Sequence, residues 1–132
     1  MHNLLIKFLY KWQAAAMADK VAFLATMSPA DTPRLSTMLG YALAAASMGF
    51  DVLIFWTLDG AHAVKKKVFE KLDKQIQERF KQCLEMGCKM WLCSSAAATF
   101  NIKEDEVVDG VKIMGIASFY EYAADAKIVL TW

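Results

Sequence analysis

A chain of 132 residues with 57% hydrophobic and 22% charged residues has the size and composition of one folded domain, which excludes a largely disordered chain. The formal net charge of +1 excludes the strong basic field that non-specific nucleic-acid binding requires. Three cysteines without an evident cleavable signal indicate free thiols in a reducing, cytoplasmic compartment rather than a disulfide framework.

The first seventeen residues show an amphipathic pattern. The apolar side chains that recur at helical spacing are Leu4, Leu5, Phe8, Leu9 and Trp12. With Lys7 and Lys11 between them, they predict an amphipathic N-terminal helix over residues 1–17, an extension of a single α/β domain over residues 18–132. The stretch is shorter than the ~20 residues that span a bilayer. Three locations are possible for the predicted helix: it packs on its own domain or on a neighbouring subunit, it lies on a membrane surface, or it is loose in solution.

A short apolar run and a helix pattern come next. Residues 20–26 (KVAFLAT) are bounded by Ser28 and Pro29, as is typical of a strand buried on both faces. Thr32 is a suitable cap for a helix with Pro33 in its first turn, and Gly49 is a suitable stop.

A second strand and a long helical pattern follow. Residues 51–57 (DVLIFWT) are β-branched and aromatic, and residues 58–60 (LDG) break the run. An i, i+4 apolar stripe then runs from Val64 to Leu84, opposite a lysine-rich side, and Gly87 ends it. The pattern predicts either one long helix or two short ones.

The remaining patterns complete an alternation of strands and helices. Residues 88–93 (CKMWLC) predict a third strand that leads directly into a helix from Ser94. A short strand at 111–114, a helix at about 117–124 and a last strand at 126–131 complete the chain. This alternation predicts a mainly parallel sheet covered on both faces, in which ligands collect at the carboxyl ends of the strands.

Cys93 is the residue that we expect to carry chemistry. It is predicted at the carboxyl end of a strand and directly before a helix, where free backbone N–H groups and the helix dipole favour a thiolate. We expect Ser94, Ser95 and Ala96 to stabilise the thiolate or a bound anion. The alternative is that Cys93 is a small apolar residue that only fills the sheet edge.

The other two cysteines are poor partners for that thiol. Cys88 lies ~16 Å away along an extended strand and points to the opposite face, which excludes an intrachain disulfide with Cys93. Cys83 lies on the apolar helix stripe, where packing is its expected role. Neither a Cys-x-x-Cys pair nor zinc-ligand spacing occurs, and phosphate-binding glycine motifs are absent too, so we expect no metal and no cofactor.

Two further loops reach the same predicted edge of the sheet. Ser28 follows the first strand, and Asp59 and His62 follow the second. We expect these residues to line a cleft beside Cys93, where His62 would orient an anion or exchange a proton with the thiol.

The order and spacing of four stretches carry a family resemblance. These stretches are residues 20–28 (KVAFLATMS), 44–56 (AAASMGFDVLIFW), 87–94 (GCKMWLCS) and 107–117 (VVDGVKIMGIA). Together they resemble the DsrE/DsrF-like family of small sulfur-handling proteins. The resemblance implies a three-layer, flavodoxin-like α/β fold with a mainly parallel sheet of about five strands. It also implies a homo-oligomer, a trimer or a hexamer, and a sulfur-carrying cysteine at Cys93.

The function implied is that of a cytoplasmic sulfur carrier, or a sulfurtransferase if the protein is an enzyme. Cys93 would accept sulfane sulfur from a donor protein or a small sulfur compound and pass it to a partner thiol. Some family members have a second cysteine shortly afterwards, where this chain has Ala96, Thr99 and Asn101. The alternative is a noncatalytic oligomeric binding module with a small-ligand cleft and a structural cysteine. We expect neither nucleic acid nor a membrane as a partner.

Overall fold

The computed structural model describes residues 18–132, which form a five-stranded sheet with helices on both sides. The strands are β1 (Lys20–Ala25), β2 (Asp51–Trp56), β3 (Lys89–Cys93), β4 (Val111–Met114) and β5 (Ile128–Thr131). The helices are α1 (Thr32–Ser47), α2 (Lys66–Phe69), α3 (Lys74–Glu85), α4 (Ser94–Thr99) and α5 (Ile116–Ala123). Two 3₁₀ turns cover Leu58–Val64 and Glu104–Glu106. The predicted N-terminal helix lies outside the described residues.

The sheet is parallel throughout, with the strand order β4-β3-β2-β1-β5. The central strand β2 is almost wholly buried, as its continuous apolar sequence predicts. Ala25 is in register with Trp56, and Trp56 with Leu92, so β1, β2 and β3 end at one common edge. The predicted flavodoxin-like architecture is confirmed.

The two faces of the sheet bury alternate side chains of β2. Trp56 packs against Phe80 of α3 with ring centroids 5.8 Å apart, and α1 lies beside α3 on this face. Phe55 points the other way and packs against Phe119 of α5 at 5.1 Å. The strand's period of two therefore divides the core into two apolar layers.

Helix α1 begins and ends close to the predicted positions. The cap differs from the expectation: the Asp31 side chain accepts the Arg34 backbone N–H at 3.3 Å, and Thr32 is already the first helical residue. Asp31 is the better cap because a charged oxygen meets the free N–H groups of the first turn. Gly49, at φ +93°, ends the helix in the left-handed region that glycine adopts without strain.

The long helical pattern resolves into two short helices, one of the two alternatives predicted. Asp73 interrupts it and caps α3 by accepting the Gln75 backbone N–H at 3.4 Å. The expected start at Val64 is wrong. Val64 closes the first 3₁₀ turn, and its carbonyl oxygen accepts the Val108 N–H at 2.9 Å instead of starting a helix.

The edge strand β5 departs from the expectation of a sheet covered on both faces. Ile128, Val129 and Leu130 are 42%, 47% and 38% exposed. Helix α1 packs over β1 and β2, and α5 packs on β1 from the other side, so both helices leave the side chains of β5 largely open. None of the helices described in residues 18–132 combines the length and the hydrophobicity of a membrane-spanning segment.

Candidate functional site

Cys93 is the last residue of β3 and the residue directly before α4. Strand pairing places it beside Met114 of β4 on one side. Its thiol is free and 6% exposed. The sulfur therefore lies just beneath the surface at the carboxyl edge of the sheet, where the sequence placed it.

Hydrogen-bond donors surround the sulfur of Cys93. The Ser95 hydroxyl oxygen lies 3.4 Å from Sγ, and the backbone N–H groups of Ser95 and Ala96 and the Thr57 hydroxyl also face it. Burial by itself raises the pKa of Cys93, but these donors together outweigh it, so the pKa lies below the ordinary thiol value of 9.0. The environment thus favours a thiolate, the nucleophilic form of cysteine.

Thr57 belongs to this site, although it was not among the residues predicted for it. Extending the β2–β3 register by one residue places Thr57 beside Cys93. Its N–H donates to the Ala25 carbonyl oxygen at 3.1 Å, and its own carbonyl oxygen accepts the Gly60 N–H at 2.9 Å. The sequence indicated only that Thr57 and Cys93 each come at the end of a predicted apolar strand, and it did not indicate that these two strands are neighbours in the sheet.

The turn that follows Thr57 is tightly constrained. A Cβ atom on Gly60 would collide with the Ala25 carbonyl oxygen, so only glycine fits against the end of β1. Leu58 has φ +50°, a left-handed conformation that costs a non-glycine residue free energy. These constraints keep the Thr57 hydroxyl in place next to the thiol.

Three residues predicted to stabilise the sulfur lie at the start of α4. Ser95 and Ala96 contact Cys93 as described, Ser95 through both its hydroxyl and its N–H and Ala96 through its N–H. Ser94 is exposed and lies beside Gly115 at the start of α5, where a Cβ would be 3.6 Å from the Ser94 hydroxyl oxygen. The structure thus brings two of the three against the sulfur.

The three residues predicted to line a cleft have other surroundings. The Ser28 hydroxyl accepts the Ala30 N–H at 3.1 Å and shapes the turn before α1, and Asp59 is exposed on the 3₁₀ turn. The His62 ring contacts the Phe100 ring, with centroids 4.2 Å apart and ring planes inclined at 47°.

Cys83 and Cys88 form a separate pair, on the other face of β3. The Cys88 N–H donates to the Cys83 carbonyl oxygen at 2.9 Å, and Gly87 between them has φ +90°, which together form the Schellman ending of α3. The Cys83 thiol donates to the Leu39 carbonyl oxygen at 3.5 Å. The interaction between the two sulfurs, followed by burial, raises the pKa of Cys83, and the same interaction lowers the pKa of Cys88. Both thiols are free and buried, in agreement with a packing role for Cys83.

Comparison with known proteins gives a consistent assignment. The sequence model of the DsrE/DsrF-like family matches residues 19–132. The sulfur carrier protein DsrE2 of Allochromatium vinosum is 33% identical over 67 residues, which cover 51% of this chain and 42% of that protein. An uncharacterized protein, MJ0989, of Methanocaldococcus jannaschii is 23% identical over 113 residues, covering 86% of this chain and 99% of that protein.

Solved structures show the same fold. The ychN protein from E. coli superimposes with a TM-score of 0.76 at 21% identity, covering 86% of this chain and 99% of that one. MTH1491 from Methanobacterium thermoautotrophicum, a protein of unknown function, superimposes with a TM-score of 0.63 at 11% identity, covering 86% and 98% of the two chains. At these identities the likeness concerns the fold alone.

Proposed function

The chain belongs to the DsrE/DsrF-like family, and we propose that it is a sulfur carrier that accepts sulfane sulfur on Cys93 and passes it to a partner thiol. The observation that supports this most is the set of hydrogen-bond donors around the Cys93 sulfur, which lowers the pKa of that thiol despite burial. The likeness to a sulfur carrier protein from Allochromatium vinosum supports the same role.

Loading is a displacement at sulfur. The Cys93 thiolate attacks the outer sulfur of a persulfide or polysulfide, a new S–S bond forms at Sγ, and the donor's S–S bond breaks. The donor leaves as a thiolate that carries the electron pair of the broken bond. Transfer repeats the step, with an acceptor thiolate attacking the outer sulfur and Cys93 leaving as a thiolate. No external oxidant or reductant is consumed.

The groups around Cys93 suit both halves of this exchange. The Ser95 hydroxyl and the Ser95 and Ala96 N–H groups donate to a negatively charged sulfur, whether it is the free thiolate or the outer sulfur of a persulfide. The Thr57 hydroxyl adds a donor from the neighbouring strand. These donors stabilise the negative charge on sulfur, and the only bonds that form and break are S–S bonds.

The acceptor thiol is supplied by another molecule. Cys88 lies at the opposite end of β3, and Ala96, Thr99 and Asn101 stand where a second cysteine would follow Cys93. The partners are therefore donor and acceptor proteins or small sulfur compounds, in the cytoplasm. The working form is a homo-oligomer, as the family resemblance implies.

Loading is tested by incubating the protein with inorganic polysulfide and measuring its intact mass. We expect a gain of one or more sulfur atoms that disappears on treatment with excess reductant and is absent from Cys93→Ser. The matched control, Cys88→Ser, keeps the gain. An equal sulfur adduct on Cys93→Ser would exclude Cys93 as the carrier.

A noncatalytic binding module is the second candidate, and one observation favours it. A groove of 420 Å³ between α2 and α3 has an apolar floor formed by Phe69, Phe80 and Leu84, and Cys93 is not among its lining residues. Titration of the native protein with a thiol-specific reagent separates the two functions. An accessible, fast-reacting Cys93 supports the carrier, and a thiol that reacts only after unfolding supports the module.

A further inference from the structure

Cys83 and Cys88 are two thiols that the proposed sulfur transfer does not use. Both are free, and their residues are 0% and 5% exposed. Cys83 lies in the last turns of α3, and Cys88 directly precedes β3 at the amino end of that strand. They are therefore separated from Cys93, which ends the same strand, by its full length.

The turn between α3 and β3 brings these two residues together. The Cys88 N–H donates to the Cys83 carbonyl oxygen at 2.9 Å, and the Gly87 N–H donates to the Leu84 carbonyl oxygen at 3.0 Å. These are the two hydrogen bonds of a Schellman motif, in which the side chains of the first and last residues of the turn commonly pack against each other. Here both of those side chains are thiols.

Covalent geometry limits the distance between the two Cα atoms. The 2.9 Å hydrogen bond joins the Cys83 carbonyl oxygen, about 2.4 Å from its own Cα, to the Cys88 nitrogen, about 1.5 Å from its own Cα. The Cα atoms are therefore at most about 6.8 Å apart, the upper limit of the usual range across a disulfide. The turn thus meets the Cα spacing that a disulfide requires.

The surroundings of the two sulfurs give them different roles. The interaction with the Cys88 sulfur is the main cause that raises the pKa of Cys83, and the Leu39 carbonyl oxygen accepts the Cys83 thiol proton at 3.5 Å. The same interaction between the sulfurs lowers the pKa of Cys88, against the effects of burial and of Asp51. Cys88 is therefore the better nucleophile of the pair.

We propose that Cys83 and Cys88 form a redox site that a small peroxide converts reversibly into an intrachain disulfide. Hydrogen peroxide suits the site because it is small and uncharged, as access to a residue that is only 5% exposed requires. A disulfide that forms transiently under oxidation is the kind that occurs in reducing compartments. The inference is independent of the sulfur transfer at Cys93.

Closure of the disulfide takes two steps. The Cys88 thiolate attacks one peroxide oxygen, an S–O bond forms, the O–O bond breaks, and hydroxide leaves with the electron pair of the broken bond. Cys88 is then a neutral sulfenic acid, so the negative charge beside Cys83 is gone. Cys83 gives its proton to the hydroxide and attacks the Cys88 sulfur; the S–S bond forms and a second hydroxide leaves as the S–O bond breaks. The two sulfurs together lose two electrons, and the peroxide gains them.

Peptide mass spectrometry of the unaltered full chain tests the site. The folded protein is treated with hydrogen peroxide, and its remaining thiols are blocked with N-ethylmaleimide in urea before digestion. Trypsin cleaves after Lys81 and Lys89, so one peptide, residues 82–89 (QCLEMGCK), contains both cysteines and not Cys93. We expect this peptide to lose two hydrogen atoms and to carry no maleimide. Dithiothreitol, added before blocking, should restore both maleimide adducts.

Two variants separate the roles of the thiols. In Cys83→Ser the Cys88 sulfenic acid has no partner, so dimedone, a reagent for sulfenic acids, should label Cys88. Cys88→Ser is the matched control, because the remaining Cys83 thiol is fully buried. We expect dimedone to label Cys83 in this variant about tenfold less than Cys88 in the other.

Three results would overturn the inference. The first is a peptide 82–89 that keeps both maleimide adducts after peroxide treatment of the folded protein. The second is a disulfide that forms only after unfolding in urea, or one that joins two molecules. The third is equal dimedone labelling in the two variants. If either variant fails to fold, the result for the unaltered chain decides.

Discussion

At the scale of single residues, burial and hydrogen bonding have opposite effects on the pKa of Cys93. Removing a thiol from water favours the neutral form, whereas several donors aimed at one sulfur favour the charged form. The donors prevail, and two of them are the backbone N–H groups of Ser95 and Ala96, which only a substitution by proline would remove. The Ser95 and Thr57 hydroxyls can be removed one at a time, which makes their contributions measurable.

The pH dependence of Cys93 alkylation follows from this balance. Only the thiolate reacts, so the rate rises with pH and levels off above the pKa of the thiol. Since that pKa lies below 9.0, we expect half-maximal reactivity below pH 9.0. The measurement is the rate of iodoacetamide adduct formation at Cys93, followed by peptide mass spectrometry. A midpoint at or above pH 9.0 would show that burial prevails instead.

Thr57 is expected to stabilise the Cys93 thiolate directly through its hydroxyl. Thr57→Val removes the hydroxyl but keeps the side chain's shape, so the pKa of Cys93 should rise and alkylation at pH 7 should slow by about tenfold, the effect of one hydrogen bond to a charged group. Thr57→Ser should restore both. The control is Thr99→Val, because the Thr99 hydroxyl donates to the Ser95 carbonyl oxygen at 2.9 Å and not to the sulfur. An unchanged pH profile in Thr57→Val would remove Thr57 from the site.

At the scale of elements, local chemistry explains most of the boundaries. Gly49 and Gly87 end α1 and α3 in left-handed conformations, and the apolar runs before Ser28 and Thr57 become β1 and β2. The 3₁₀ turn over Leu58–Val64 could not be predicted, because its shape depends on contact with the end of β1. The break before α3 was left open because Asp73 lies in a sequence that otherwise continues the helical stripe.

Two glycines provide opposite tests of backbone constraint. Gly60→Ala should destabilise the protein by more than 1 kcal/mol, since its Cβ meets the rigid Ala25 carbonyl group. Gly40→Ala, in the middle of α1, should stabilise it by about 0.5–1 kcal/mol, because alanine favours the helix and the added methyl would meet the Arg79 guanidinium at 3.4 Å, an ordinary van der Waals contact. Urea unfolding measures both free energies. Equal effects would show that the turn after β2 is not constrained.

At the scale of the whole molecule, the strand order determines which residues meet. Cys93, Ser95 and Ala96 are neighbours in the sequence, so their arrangement at the end of β3 could be predicted locally. Thr57 joins them only because β2 lies next to β3 in the sheet. A local sequence pattern does not show which strands pair in the sheet, so it could not place Thr57 beside Cys93.

Helix α5 is the surface through which we expect the proposed homo-oligomer to form. Ile116 and Tyr120 lie four residues apart on its outer side and are 49% and 67% exposed, and the helix begins beside Ser94. A contact here would bring a second subunit close to Cys93. We expect Tyr120→Lys to lower the solution mass measured by light scattering, while Met86→Lys, at the exposed end of α3, leaves it unchanged. Equal masses for both variants would place the interface elsewhere.

Transfer of sulfur from Cys93 to an acceptor tests the central claim most directly. The protein is loaded with radiolabelled polysulfide, freed of excess donor and mixed with a small thiol, and the label on the protein is followed over a single turnover. The account predicts that the label leaves at a rate proportional to the thiol concentration and that the free Cys93 thiol returns in equal amount. Label that stays on the protein in excess thiol would contradict the account.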